Sequence, residues 1–143
     1  MTVDGFGAYR RGHVHSGLDL EGAFSETVHP IGRGTVVCFF YAFANRGVVV
    51  RHELEKGRIL YSSYVHLADI TVDIGDSVDE TTPIGRIFNR SELRKSGFRR
   101  QHLHLEIRKN LDDHAEKASY LTKKRAELSA HFMDPWVFLS QHL

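Results

Sequence analysis

Two short stretches concentrate the side chains able to do chemistry. The first is His102-Leu103-His104-Leu105-Glu106-Ile107-Arg108, in which polar and apolar residues alternate. On a β-strand alternate side chains share a face. His102, His104 and Glu106 then point one way, while Leu103, Leu105 and Ile107 enter the core. Two imidazoles about 6–7 Å apart along one strand face can hold a metal together or divide roles around it. The second stretch is His15-Ser16-Gly17-Leu18-Asp19. A neutral imidazole and a carboxylate four residues apart converge on one cation if the loop turns, and Gly17 permits the turn. Beside a separate His-x-His the spacing acquires meaning. Two nitrogens and one carboxylate oxygen make three protein ligands and leave a fourth position for water. That is the pattern of a catalytic, not a structural, zinc. A third element, Tyr64-Val65-His66-Leu67, ends an apolar strand. Its histidine gains interest only because the other two elements need a partner.

Composition narrows the donors. There are 10 histidines and one cysteine among 143 residues. An internal disulfide and a CxxC metal site are therefore excluded, and any zinc must use histidines and carboxylates. Cys38, within Val36-Val37-Cys38-Phe39-Phe40, reads as a small hydrophobe of a buried strand. With 41% hydrophobic residues, 12 Gly and 3 Pro, the chain is neither disordered nor collagen-like. No run approaches 18 apolar residues, which excludes a membrane-spanning helix. The formal net charge is +1, so a nucleic-acid reading would need a local basic patch, and none is assigned. Met1–Gly7 has neither a basic n-region nor an apolar h-region, and no signal peptide is read there. The sequence lacks an HExxH helix, a GxSxG elbow and a P-loop; His52-Glu53-Leu54-Glu55-Lys56 has no second histidine.

The positioning elements are mostly strands. Residues 1–34 are Gly-rich and turn-like, with extended pieces around Val14 and Leu18-Asp19-Leu20. Thr35–Phe43, Gly47–Glu53 and Arg58–Leu67 are rich in Val, Ile, Phe and Tyr, and the turn signals Asn45-Arg46-Gly47 and Glu55-Lys56-Gly57 separate them into successive hairpins. Ile70–Val72, Ser77-Val78, Pro83–Phe88 and His102–Arg108 complete the set. Short strands at regular spacing predict a mainly β fold, an antiparallel β-sandwich or open barrel. One or two C-terminal helices follow. Leu111, Ala115, Ala118, Leu121, Leu128 and Phe132 recur at helical spacing, and Asp134-Pro135 reads as an N-cap with proline at the first helical position. The length and the absence of a linker predict one domain over 1–143.

These residues resemble the lysostaphin-type (LytM-like) zinc peptidases, endopeptidases that cut peptide cross-links in bacterial cell walls. Gly5-Phe6-Gly7 with Arg10 resembles the family's opening, and His15–Asp19 its H-x-G-x-D element. Pro30–Val36 is similar to a segment reading P-V-x-A-x-x-x-G-x-V, and Gly47–His52 to a strand ending V-x-I-x-H. Tyr64–Leu67 matches Y-x-H-L, Val72–Gly85 the V-x-x-G-D-x-V…I-G hairpin, and His102–Arg108 H-L-H-F-E-I-R with Leu105 for Phe. Asp134-Pro135 matches the terminal D-P. The resemblance implies the duplicated hybrid β motif and one zinc ion per chain, with His15, Asp19 and His104 as its ligands. His66 and His102 would flank the activated water as catalytic residues without binding the metal. It also implies a peptidoglycan substrate and a place of action in the cell envelope or outside the cell.

Two stretches depart from the family. Its Gly- and Thr-rich loop before H-x-H is here Asn89–Gln101, with Arg90, Arg94, Lys95, Arg99 and Arg100 against only Glu92. Leu111–Met133 reads as a helical insertion. Among the remaining histidines, His52 reads as structural, His13 as an adventitious ligand at most, and His29, His114, His131 and His142 as surface or packing residues. Glu106 could orient a neighbouring histidine. Two other functions compete: an inactive family member that binds wall or a partner enzyme, and a histidine phosphocarrier domain of similar fold. Asp19 argues against the phosphocarrier, and the five filled positions argue against the inactive member.

Overall fold

The computed structural model describes residues 2–10, 13–111 and 125–142. The architecture is mainly β and antiparallel. The large sheet runs in the order Thr2–Asp4, Leu18–Glu21, His102–Arg108, Ile59–Val65, Gly47–Glu53, Gly34–Phe40 and Ser77–Val78. Phe132–Met133 joins it by pairing with the end of His102–Arg108, at Ile107 and Arg108. The three hairpin strands appear where the apolar runs and turns placed them. A smaller sheet aligns Thr27–Val28, Gly85–Ile87 and Leu67–Ala68, and Tyr9–Arg10 pairs with His13–Val14.

Alternation decides which faces are buried. Val36, Val48, Val50, Tyr64 and Leu105 of the large sheet pack with Val28, Leu67 and Ile87 of the small one. This is the main core, and each such side chain contributes about 1.5–3 kcal/mol when fully buried. The opposite face of the large sheet carries Phe40, Val49 and Val65. The polar row His102, His104, Glu106 and Arg108 lies on that second face.

The C-terminal elements close the ends of the sheet. Helix Arg125–His131 brings Leu128 against Val14 and Phe132. Helix Pro135–His142 starts as the sequence predicts, with the Trp136 amide donating to Asp134 Oδ1 at 2.9 Å, and seats Phe138 on Leu60 and Ile107. Residues 112–124, most of the expected insertion, lie outside the described residues, as does His114. Among the described residues no helix is long and apolar enough to cross a membrane.

Three sequence expectations change. Asn89–Gln101 is not all loop: Arg90–Ser96 is a helix. Asn89 accepts from the Glu92 amide and Glu92 from the Asn89 amide, a reciprocal cap worth roughly 1 kcal/mol. Gly97 ends the helix at φ 76°, a left-handed conformation that glycine adopts without steric cost. Ile70–Val72 is not a strand, because Asp69 sits at φ 49° and breaks the extension. Cys38 is half-buried at the margin of the second-face cluster, not enclosed in the core.

Candidate metal centre

The sheet register builds the centre. His104 stands directly opposite Asp19 on one side and Val65 on the other. The loop preceding Leu18–Glu21 then carries His15 to the same point. His15 Nε2, Asp19 Oδ1 and His104 Nδ1 form a triangle with sides of 3.0, 2.9 and 3.2 Å. All three residues are buried. Gly17 is needed here for closeness rather than for a turn. A Cβ at that position would collide with the Leu105 carbonyl oxygen and stand 2.9 Å from His104 Cε1.

The hydrogen bonds behind the triangle fix both tautomers. His15 Nδ1 donates to the Gly5 carbonyl at 2.9 Å, leaving Nε2 with its lone pair forward. His104 Nε2 donates to Glu106 Oε2 at 3.0 Å, leaving Nδ1 forward. Glu106 also accepts from Ser16 Oγ, and from Arg108 at 2.9 and 2.6 Å. Both Glu106 and Arg108 are fully buried. Burial alone would raise the Glu106 carboxyl, but Arg108, His104 and Ser16 outweigh it and hold it at about 2. Glu106 is thus an anion that anchors His104, and Arg108 neutralises it between the rings of Phe40 and Phe132.

Three lone-pair atoms facing one another across about 3 Å repel unless positive charge joins them. Burial opposes charge on His104, yet Asp19 and Glu106 push its ring up to about 9. Burial likewise works against the Asp19 anion, but the adjoining His104 and His15 rings keep it far below the usual carboxylate range. The donor set suits zinc. Four ligands at about 2.0–2.1 Å in a tetrahedron are separated by roughly 3.3 Å, close to the observed triangle.

His66 and His102 line the same cluster without joining the triangle. Their rings meet edge to face at 4.8 Å, and His66 lies 5.9 Å from His104. His66 Nδ1 donates to the Ala44 carbonyl at 2.9 Å and His102 Nδ1 to the Arg100 carbonyl at 2.8 Å. Nε2 is then the nitrogen each ring has left for chemistry, and that of His102 is 3.9 Å from Asp19 Oδ2. Burial first, then the neighbouring His104 and His102, depress His66 to about 3. His66 itself sits at φ 72°, a strained backbone of the kind that collects at functional sites.

A family model described as peptidase family M23 matches residues 13–116, a span holding all five of these residues. The chain belongs to peptidase family M23. No curated protein matches it significantly. Among solved structures, this M23 chain is similar to the catalytic domain of the antimicrobial peptidase lysostaphin from Staphylococcus simulans. The TM-score is 0.69 at 20% identity, covering 98% of this chain and 92% of that domain. Against the longer lysostaphin chain the TM-score is again 0.69 at 20% identity, with 99% of this chain matched to 50% of that one. The M23 chain thus spans about half the length of that relative. A zinc-containing peptidase from Vibrio cholerae gives a TM-score of 0.58 at 24% identity, covering 75% of this chain and 32% of that one.

The other sequence candidates separate cleanly. His52 is structural: its Nδ1 donates to the Arg33 carbonyl at 2.7 Å and its Nε2 accepts from Ser62. His29 is exposed, and His131 pairs with Asn110. His13 lies on a strand and His142 in the last helix, but their side chains are outside the described set. Sequence reasoning did not single out Ser16, Arg108 or Phe98. The period-2 row from His102 extends to Arg108, so that signal was present. Phe98, 4.6 Å from His66 and 5.4 Å from His102, left no such trace.

Proposed function

We propose that this M23 chain is a zinc-dependent endopeptidase that hydrolyses peptide cross-links of bacterial peptidoglycan. The observation that carries the reading is the convergence of His15 Nε2, Asp19 Oδ1 and His104 Nδ1 within 3.2 Å, with two further imidazoles alongside. Those three atoms would hold the ion, one per chain. When bound, zinc supplies Lewis acidity that acidifies a water and polarises the scissile carbonyl. Asp19 offsets part of the added charge, and Glu106 keeps His104 in the tautomer that faces the ion.

The remaining steps belong to the chain. His66 and His102 each keep Nε2 for the reaction, because each Nδ1–H is committed to a backbone carbonyl. One Nε2 accepts the proton of the attacking water and returns it to the leaving amine, while the Nε2 of the other, when it carries a proton, donates to the developing oxyanion. The His66 ring, deep and held neutral by burial, is suited to accept a proton only as the reaction creates charge beside it. The lysostaphin likeness supports a wall peptide as the substrate, and with it action in the cell envelope or outside the cell.

The test is metal content followed by digestion. The purified protein should hold one zinc by atomic absorption and release soluble fragments with new amino termini from purified peptidoglycan. A zinc-loaded protein that releases none refutes the assignment and leaves a wall-binding or regulatory role.

A further inference from the structure

The stretch least like the family places an aromatic ring against both candidate proton-transfer histidines. Phe98 follows directly after the Gly97 cap of helix Arg90–Ser96, and its amide donates to Ser96 Oγ at 3.0 Å. Its ring meets His66 at 4.6 Å and His102 at 5.4 Å between centroids. Behind it stands Phe88, parallel to within 7° at 6.3 Å, and behind that Phe43, within 20° at 5.1 Å. The chain next to Phe43 also supplies Ala44, whose carbonyl accepts the hydrogen bond from His66 Nδ1. Three loop segments are thereby tied into one stack. Phe88 is only 1% exposed and forms its fixed middle.

We propose that Phe98, backed by Phe88 and Phe43, is a positioning residue that sets the ring orientations of His66 and His102. Hydrogen bonding alone does not do this. A single bond from Nδ1 leaves an imidazole free to rock about that bond, and proton transfer requires its Nε2 within hydrogen-bond reach of the reacting atoms. A ring packed on the side of each imidazole removes that freedom. The contact with His66 is edge to face and that with His102 tilted; aromatic pairs contribute about 0.5–1.5 kcal/mol beyond burial, enough to favour one orientation. Acting through the two histidines, Phe98 should affect the chemical step.

This proposal rests on the peptidase reading, and the experiment separates the two. Phe98→Ala, Phe98→Leu and Phe98→Tyr are prepared as zinc-loaded full chains. In Phe98→Ala, kcat on a cross-link peptide should fall roughly tenfold or more with KM nearly unchanged. Phe98→Leu should lie between Phe98→Ala and the wild type, and Phe98→Tyr should restore kcat to within about twofold. Zinc content should be equal in all. The second readout needs no turnover. The ring carbon-bound proton resonances of His66 and His102 should shift and broaden in Phe98→Ala and stay sharp in Phe98→Tyr. Unmoved resonances overturn the proposal, as does a rise in KM with kcat intact, which would make Phe98 a substrate contact. A wild type that cuts nothing, with the resonances moving as described, refutes the peptidase reading and leaves the positioning role standing.

Discussion

The five histidine and aspartate side chains of the centre are held in two different ways. The triangle of His15, Asp19 and His104 is buried, and both its rings are anchored behind, by the Gly5 carbonyl and the Glu106 carboxylate. Its charge is balanced further back by Arg108. His66 and His102 have one backbone acceptor each, and the rest of their support is ring packing on each other and on Phe98. The first arrangement gives each ring a fixed tautomer and a charge-compensated place, which suits binding a cation. The second commits only the Nδ1 of each ring, which suits an Nε2 that accepts and returns a proton. In the proposed mechanism the moving proton belongs to the less rigid half.

The largest effect should come from breaking the rigid half. His104→Ala removes a donor from the centre of the buried network and should lose most of the zinc and essentially all hydrolysis. The β-core should stay folded, since Leu103, Leu105 and Ile107 occupy the other face. Zinc occupancy after dialysis, read with circular dichroism, checks this. Full occupancy would show that His104 is not a ligand.

Next come His66→Ala and His102→Ala, which should keep zinc and lose roughly 10²–10⁴ in rate, the usual worth of a proton-transfer or oxyanion group. Loss of the metal in either variant would move that residue into the coordination set and dissolve the contrast. A smaller effect should follow from Glu106→Gln. The His104 hydrogen bond would survive in weakened form, so zinc affinity should fall about 10–100-fold rather than vanish. Arg108 would lose its buried counter-charge, and breaking such a pair costs about 3–5 kcal/mol of stability. Competition with a chelator and urea unfolding measure the two effects separately. Unchanged zinc affinity would sever Glu106 from the metal centre.

The two halves were unequally legible in the sequence. His-x-His and H-x-x-x-D announce their chemistry because strand alternation and ligand type are local properties. The paired strands follow from runs of Val, Ile and Tyr, and Asp134-Pro135 from capping rules. Register was not legible: that His104 faces Asp19 depends on pairing across 85 residues of chain. Nor was the reason for Gly17, which is the nearness of Leu105 and His104. The helix Arg90–Ser96 was hidden behind its basic charge, although Asn89 and Glu92 spell a capping box. The Phe43–Phe88–Phe98 stack joins three distant loops through side chains alone, and no periodicity marks such a contact.

The smallest expected effect concerns the histidine that resembles the functional ones in sequence and lies apart from them. His52 is held between the Arg33 carbonyl and Ser62, whose hydroxyl in turn meets Tyr64 at 2.6 Å; the Ile31 amide donates to Tyr64. Burial lowers the His52 pKa, and the Arg33 hydrogen bond only partly opposes this. The unfolded chain takes up a proton near pH 6.5, whereas the folded ring resists until lower pH. The stability carried by the neutral ring is therefore present above about pH 6.5 and is lost as pH falls through the folded value. Urea midpoints of the wild type should drop across this window more steeply than those of His52→Gln. Zinc occupancy at neutral pH should be the same in both, since His52 is outside the centre. Parallel pH profiles would mean that His52 titrates alike in both states and that burial does not hold it neutral.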